Sequence, residues 1–148
     1  MKILLPLLLS LCFYASAQAQ KTAQIIDWNL LAKVDFVDQY FPEYEAWYLI
    51  PKFQEEVKAL DQKPVIIKGY LIPMDVDGGE YALSAYPFSA CFFCGGAGPE
   101  SVIKLELAEK TERYETDDIV TFSGTLELND SDVDNFNYIL KNCRPLKK

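Results

Sequence analysis

The residues best suited to chemistry lie in one short stretch, Pro87-Phe88-Ser89-Ala90-Cys91-Phe92-Phe93-Cys94-Gly95-Gly96-Ala97-Gly98-Pro99-Glu100. Two thiols separated by two residues can reach one point, so Cys91 and Cys94 can close on each other as a disulfide or converge on one metal ion. The glycines after them accept backbone angles closed to other residues and let the chain fold tightly around whatever the thiols hold. Cys143 is the third cysteine after residue 19, and it joins the pair if the last strand passes beside the loop. Thiolates are soft ligands that select Zn(II) or Cu(I) over magnesium or calcium. A closed zinc site wants a fourth ligand. The chain contains no histidine, so that ligand must be a carboxylate such as Glu100, a water or a group from a partner.

Three chemistries stay open for the pair. In an oxidising compartment it can be a plain structural bridge, either locally or with Cys143, and any such pairing leaves one odd thiol. It can be a soft-metal site. It can also be a thiol–disulfide exchanger, although exchange wants the motif at a helix N-terminus, where the dipole lowers the thiol pKa. Pro99 and the glycine cluster argue against a helix there.

Other chemistries fail on the residues present. Without histidine there is no Ser-His-Asp triad, no Cys-His dyad and no zinc-peptidase helix motif. Covalent haem attachment needs a histidine where Gly95 stands. No Gly-Lys-Ser or Gly-Lys-Thr comes after the glycines to cradle phosphate. Asp75, Asp77 and Gly78 suggest a calcium loop only faintly, because later ligands at the required spacing are missing, and they read as a turn. No catalytic residue is assigned.

The elements that must position the loop are mostly strands. Val65 to Met74 is β-branched and apolar with Gly69 inside it, a common device for a bulge or a sharp coil in a barrel strand. Tyr81 to Tyr86 alternates and completes a hairpin. Ser101 to Leu107 and Asp118 to Leu128 form a second strand pair, and Tyr138 to Leu146 a final strand. Pro51 to Leu60 reads as a helix, since Phe53, Val57 and Leu60 recur at three- and four-residue spacing. Asp130 or Ser131 is expected to cap another short helix carrying Val133 and Phe136. From Ile25 to Ile50 the chain is aromatic without a sustained period and reads as an irregular arm packing rings onto the domain. The expected fold is mainly β (α+β): a small OB-like β-barrel of about five strands over 63–148, with an N-terminal arm and helix over 20–62 and one or two short helices in all.

The compartment is read from the N-terminus. Lys2, an apolar run from Ile3 to Tyr14, then Ala17-Gln18-Ala19 give the order of a cleavable signal peptide over residues 1–19. Cys12 comes after Leu11, where a lipoprotein signal needs a small residue, so a soluble exported product is expected. Downstream no second stretch suits a membrane span. The chain beyond residue 19 has a length that suits one domain. The formal net charge is −8, one unit more negative once Lys2 is removed. Such a balance repels phosphate backbones and argues against nucleic acid, while favouring cations.

A set of residues also resembles a known family. Asp27-Trp28-x-x-Leu31, Ile67-Lys68-Gly69-Tyr70-Leu71-Ile72-Pro73, Leu83-Ser84-Ala85-Tyr86-Pro87-Phe88 running into the cysteine loop, and Gly124-Thr125-Leu126-x-Leu128-Asn129 resemble the secreted bacterial family DUF3299. The resemblance spans about Asp27 to Leu140. It implies export from a Gram-negative-type cell, an OB-like barrel and a role near metal-uptake or export machinery, and it implies no catalytic activity. The better-known branch of the family has a proline-rich sequence after its cysteine, and here Cys94-Gly95-Gly96 stands instead.

The resulting expectation is a secreted, periplasmic and non-enzymatic binding module. It would handle zinc or copper through Cys91, Cys94, Cys143 and, more weakly, Glu100, or dock to an envelope or metal-transport partner. The alternatives are a thiol–disulfide redox protein and an interaction domain whose cysteines form only a structural disulfide.

Overall fold

The computed structural model describes residues 22–75, 79–109 and 113–146. The signal peptide read over residues 1–19 and the tip of the expected Asp75–Glu80 hairpin at 76–78 lie outside the described residues.

Five strands carry the domain: β4 (Lys63–Asp75), β5 (Glu80–Ser84), β6 (Val102–Leu107), β7 (Ile119–Leu128) and β8 (Tyr138–Pro145). They are ordered β4-β5-β6-β8-β7, and β7 pairs back onto β4 to close a barrel. The β6–β8 pairing is parallel and the others are antiparallel. This is the five-stranded closure of an OB-like barrel. Closure is possible because β4 is long: Lys63 to Tyr70 pair with β7, and Tyr70 to Asp75 pair with β5.

Alternation sends Val65, Ile67 and Leu71 of β4, Tyr81 and Leu83 of β5, Ile103 and Leu105 of β6, Phe122 and Leu126 of β7, and Tyr138 and Leu140 of β8 into one core. Gly69 falls at an inward position of β4. A Cβ there would lie 2.6 Å from the Ser84 carbonyl oxygen and 3.0 Å from the Trp28 ring, so only glycine lets the strands and the indole close together.

The segment before β4 covers the barrel. β1 (Gln24–Ile25) adds to β4 in parallel. α1 (Trp28–Leu31) is a single turn capped by Asp27, whose carboxylate accepts from the Leu30 N–H at 2.8 Å. Its Leu31 is fully buried in the core, worth about 2 kcal/mol by area. The Trp28 indole donates to the Lys68 carbonyl at 2.8 Å, and the Tyr138 hydroxyl donates to the Leu31 carbonyl at 2.6 Å. Those two bonds pin the turn to the barrel.

The chain from Ile25 to Ile50 is not an irregular arm. Most of it forms an antiparallel hairpin, β2 (Val34–Phe41) with β3 (Ala46–Phe53), which is a sheet of its own. Its turn uses no glycine, and Glu45 takes φ 50°. The helix expected over Pro51 to Leu60 shrinks to α2 (Glu55–Lys58), because Pro51 to Phe53 finish β3. Among the described residues after Asn129 there is no helix. The Asn129 side chain accepts from the Ser131 and Asp132 N–H groups and donates to the Asp132 and Phe136 carbonyls, holding a tight polar turn instead.

Candidate functional site

Between β5 and β6 the chain makes two successive 3-10 turns, Phe88–Ala90 and Phe92–Cys94, with extended Cys91 between them. The Cys91 carbonyl accepts from the Cys94 N–H at 3.2 Å and from the Gly96 N–H at 3.1 Å. Gly95 comes next in the left-handed region at φ 73°, where L side chains are strained. Gly96 lies so close to Ala90 that a Cβ would meet its carbonyl oxygen at 2.7 Å. The two glycines thus do different work, one reversing the chain and the other letting it pass itself. The base of the loop is tied to the barrel by the Phe88 N–H, which donates to the Asp117 carboxylate at 2.7 Å.

The loop lies on the outer wall of the barrel. Strand register places Ile72, Ala82, Lys104 and Ile139 in one row across β4, β5, β6 and β8, on the face opposite the core. Cys91 packs there with Ile72, Ala82 and Phe136 in a small buried cluster of its own. Its thiol donates to the Phe88 carbonyl at 3.0 Å. Phe93 stacks on Phe136 at 6.0 Å and on Phe92 at 5.6 Å. Tyr86, Phe88, Phe92 and Phe93 keep exposed rings around the turn.

The two thiols of the pair are neighbours. Cys94 is exposed while Cys91 is buried, and the two thiols lie near enough to interact electrostatically. Partial desolvation, then the adjoining Cys91 thiol, holds the Cys94 pKa above the ordinary thiol value. Cys91, Cys94 and Cys143 are all free thiols.

Cys143 is not brought to this pair. Plain alternation from Leu140 would point it outward, but Asn142 takes φ 50° and the β8 register shifts on both sides. That bulge turns Cys143 into the main core, where Gly124 leaves room for it; a Cβ on Gly124 would sit 2.9 Å from the Cys143 Cβ. Burial pushes the Cys143 thiol up to about 12. Glu100, on the 3-10 turn Pro99–Ser101, folds its carboxylate over Gly98. It lines a cleft of about 160 Å³ with Trp28, Tyr86 and Gly96, and its charge helps to raise the Tyr138 hydroxyl pKa after the larger effect of burial. Among the described residues no three cysteine, aspartate or glutamate side chains come together as a metal site. A larger cleft of about 390 Å³ runs between Pro51, Phe53, Lys58 and Leu128 and holds no thiol.

Two features are not apparent from the sequence alone. Phe136, expected on a helix, is the floor under Phe93 and Cys91. The rings of the β2–β3 hairpin, expected to pack on the domain, stand partly exposed.

No family model matches the chain, and no curated protein matches it. Among solved structures it is similar to a DUF3299 family protein from Pseudomonas aeruginosa PAO1, with a TM-score of 0.52 and 15% sequence identity, over 85% of this chain and 97% of that one. Identity that low speaks for architecture only. Among the described residues no helix is long and apolar enough to cross a membrane. The chain is therefore a closed five-stranded barrel with the fold of a DUF3299 protein.

Proposed function

We propose that this chain is an exported, non-enzymatic binding module whose barrel presents the Cys91–Cys94 pair to a soft metal ion, Zn(II) or Cu(I), with a partner protein or small molecule completing the coordination. The observation that carries this reading is the tight turn that holds Cys91 and Cys94 near each other, with Cys94 open to solvent. Two sulfurs at one point are half of a tetrahedral site, and thiolates favour these ions. Export and a periplasmic address rest on the order of residues in 1–19. The acidic balance supports a partner other than nucleic acid.

Thiol–disulfide exchange has less support. An efficient attacking thiol has a pKa near the ambient pH, and the accessible Cys94 is displaced the other way. No long helix begins at the motif to lower it.

The test uses protein beginning at Gln20, purified without reductant, with zinc, copper and free thiols quantified. One ion per chain is expected, lost in Cys91→Ser and Cys94→Ser and kept in Cys143→Ser. Because both thiols must shed protons, uptake should strengthen as pH rises. A stoichiometric Cys91–Cys94 disulfide that takes up neither metal after reduction would sink the proposal. Fast exchange with a model disulfide that disappears in Cys94→Ser would put the redox reading in its place.

A further inference from the structure

The β2–β3 hairpin has two unlike faces. On one, Phe41, Tyr44 and Tyr48 stack at 5.6 to 6.4 Å, and Tyr44 donates to the Asp134 carboxylate at 3.0 Å, which ties the hairpin tip to the turn between β7 and β8. On the other, register sets Phe36 across from Pro51, Asp38 across from Leu49, and Tyr40 across from Trp47. That face is buried at its base, where Pro51 and Phe53 lie. Its outer half is open: Trp47 is 68% exposed, Leu49 55% and Tyr40 46%. Tyr40 and Trp47 stack on each other at 5.5 Å, the one ring contact either makes among the described residues.

The charge around this face is of one sign. Asp38 stands on this face and Glu43 and Glu45 in its turn, with no lysine or arginine from Val34 to Pro51, while Asp35 and Lys52 stand across from each other on the opposite face. Scattered apolar side chains need no explanation, but an aromatic patch rimmed by charge marks an interaction surface. A second copy would bring the same carboxylates against these, and anionic lipid is repelled for the same reason. A cation is attracted twice, by the carboxylates and by the faces of Trp47 and Tyr40.

We infer that the outer half of the β2–β3 hairpin is a docking surface for a basic, apolar, extended segment of another polypeptide. Its arginine or lysine side chains lie over Trp47 and Tyr40 and reach Asp38, Glu43 and Glu45, while its apolar side chains cover Leu49. β2 pairs with no described strand besides β3, so its free edge offers backbone groups to an added strand. This surface is separate from the thiol pair and does not depend on metal binding there.

The test titrates the chain from Gln20 with a fluorescent peptide of alternating arginine and leucine, read by anisotropy. A glutamate–leucine peptide, vesicles of phosphatidylethanolamine with phosphatidylglycerol, and sedimentation of the protein alone serve as the other arms. The arginine peptide is expected to bind and the other arms to stay silent. Trp47→Ala and Tyr40→Ala, which alter no charge and sit at exposed positions, should each weaken binding at least tenfold at unchanged Tm. Cys94→Ser should leave it untouched. Full affinity in both hairpin variants would show general attraction to an acidic protein and overturn the inference. So would absence of peptide binding, or self-association or vesicle binding through the same rings.

Discussion

Cys94 and Cys143 are the same functional group in opposite surroundings, and the surroundings decide their chemistry. Cys94 meets solvent and another thiol, whereas Cys143 is sealed in the core and its thiol is pushed from 9.0 up to about 12. A folded-state pKa above the unfolded one favours the native chain fully below pH 9, and that advantage is lost as pH rises through the folded value. Burial raises the Tyr138 hydroxyl in the same sense. Thermal midpoints measured from pH 8 to 12 should therefore fall steadily. Cys143→Ala should start lower, because it leaves a cavity, but should lose less across that range; an equal loss would mean the thiol is not what titrates. The sequence displays the nearness of Cys91 and Cys94 through its spacing. It cannot display the fate of Cys143, because one residue at φ 50° reverses which side of β8 the side chain occupies.

Elements are legible where a single face is buried. β4, with Val65, Ile67 and Leu71 inside, and β6, with Ile103 and Leu105 inside, announce themselves by alternation. The β2–β3 hairpin does not, because apolar side chains occupy both of its faces and its turn lacks the usual glycine or asparagine. Phe53 keeps a helical spacing with Val57 by accident, since a four-residue interval also joins a strand end to the next turn. The clamp on α1 can be measured. Tyr138→Phe removes the donor to the Leu31 carbonyl and should cost about 1 to 3 kcal/mol in urea unfolding, because a buried acceptor is left alone. Gly69→Ala should cost at least as much, since the new methyl meets backbone at 2.6 Å rather than a side chain that can rotate away. A neutral result at either position would mean that the N-terminal turn is not held as described.

At the scale of the whole molecule, the barrel leaves no open lateral edge of its own, since β4 is paired at both ends of its length. The β2–β3 hairpin lies outside that closure as a sheet of its own with free strand edges, beside the exposed rings of Tyr40 and Trp47. The overall architecture is readable from strand count and the internal glycines Gly69 and Gly124. The docking surface is not, because exposure is a property of the assembled chain and cannot be assigned to Trp47 or Tyr40 singly.

Closing the ring through β4 and β7 has a further consequence, for time rather than for shape. Lys63 cannot find Leu126, nor Tyr70 find Ile119, until most of the polypeptide has been delivered, so contacts between distant parts of the chain must form before any wall of the barrel is secure. Topologies of that kind fold in about milliseconds to seconds rather than microseconds. A fragment ending at Asp118 should show no cooperative melting at all. A chain threaded out amino-terminus first would travel unstructured until its last two strands arrive, and would then snap shut as one event.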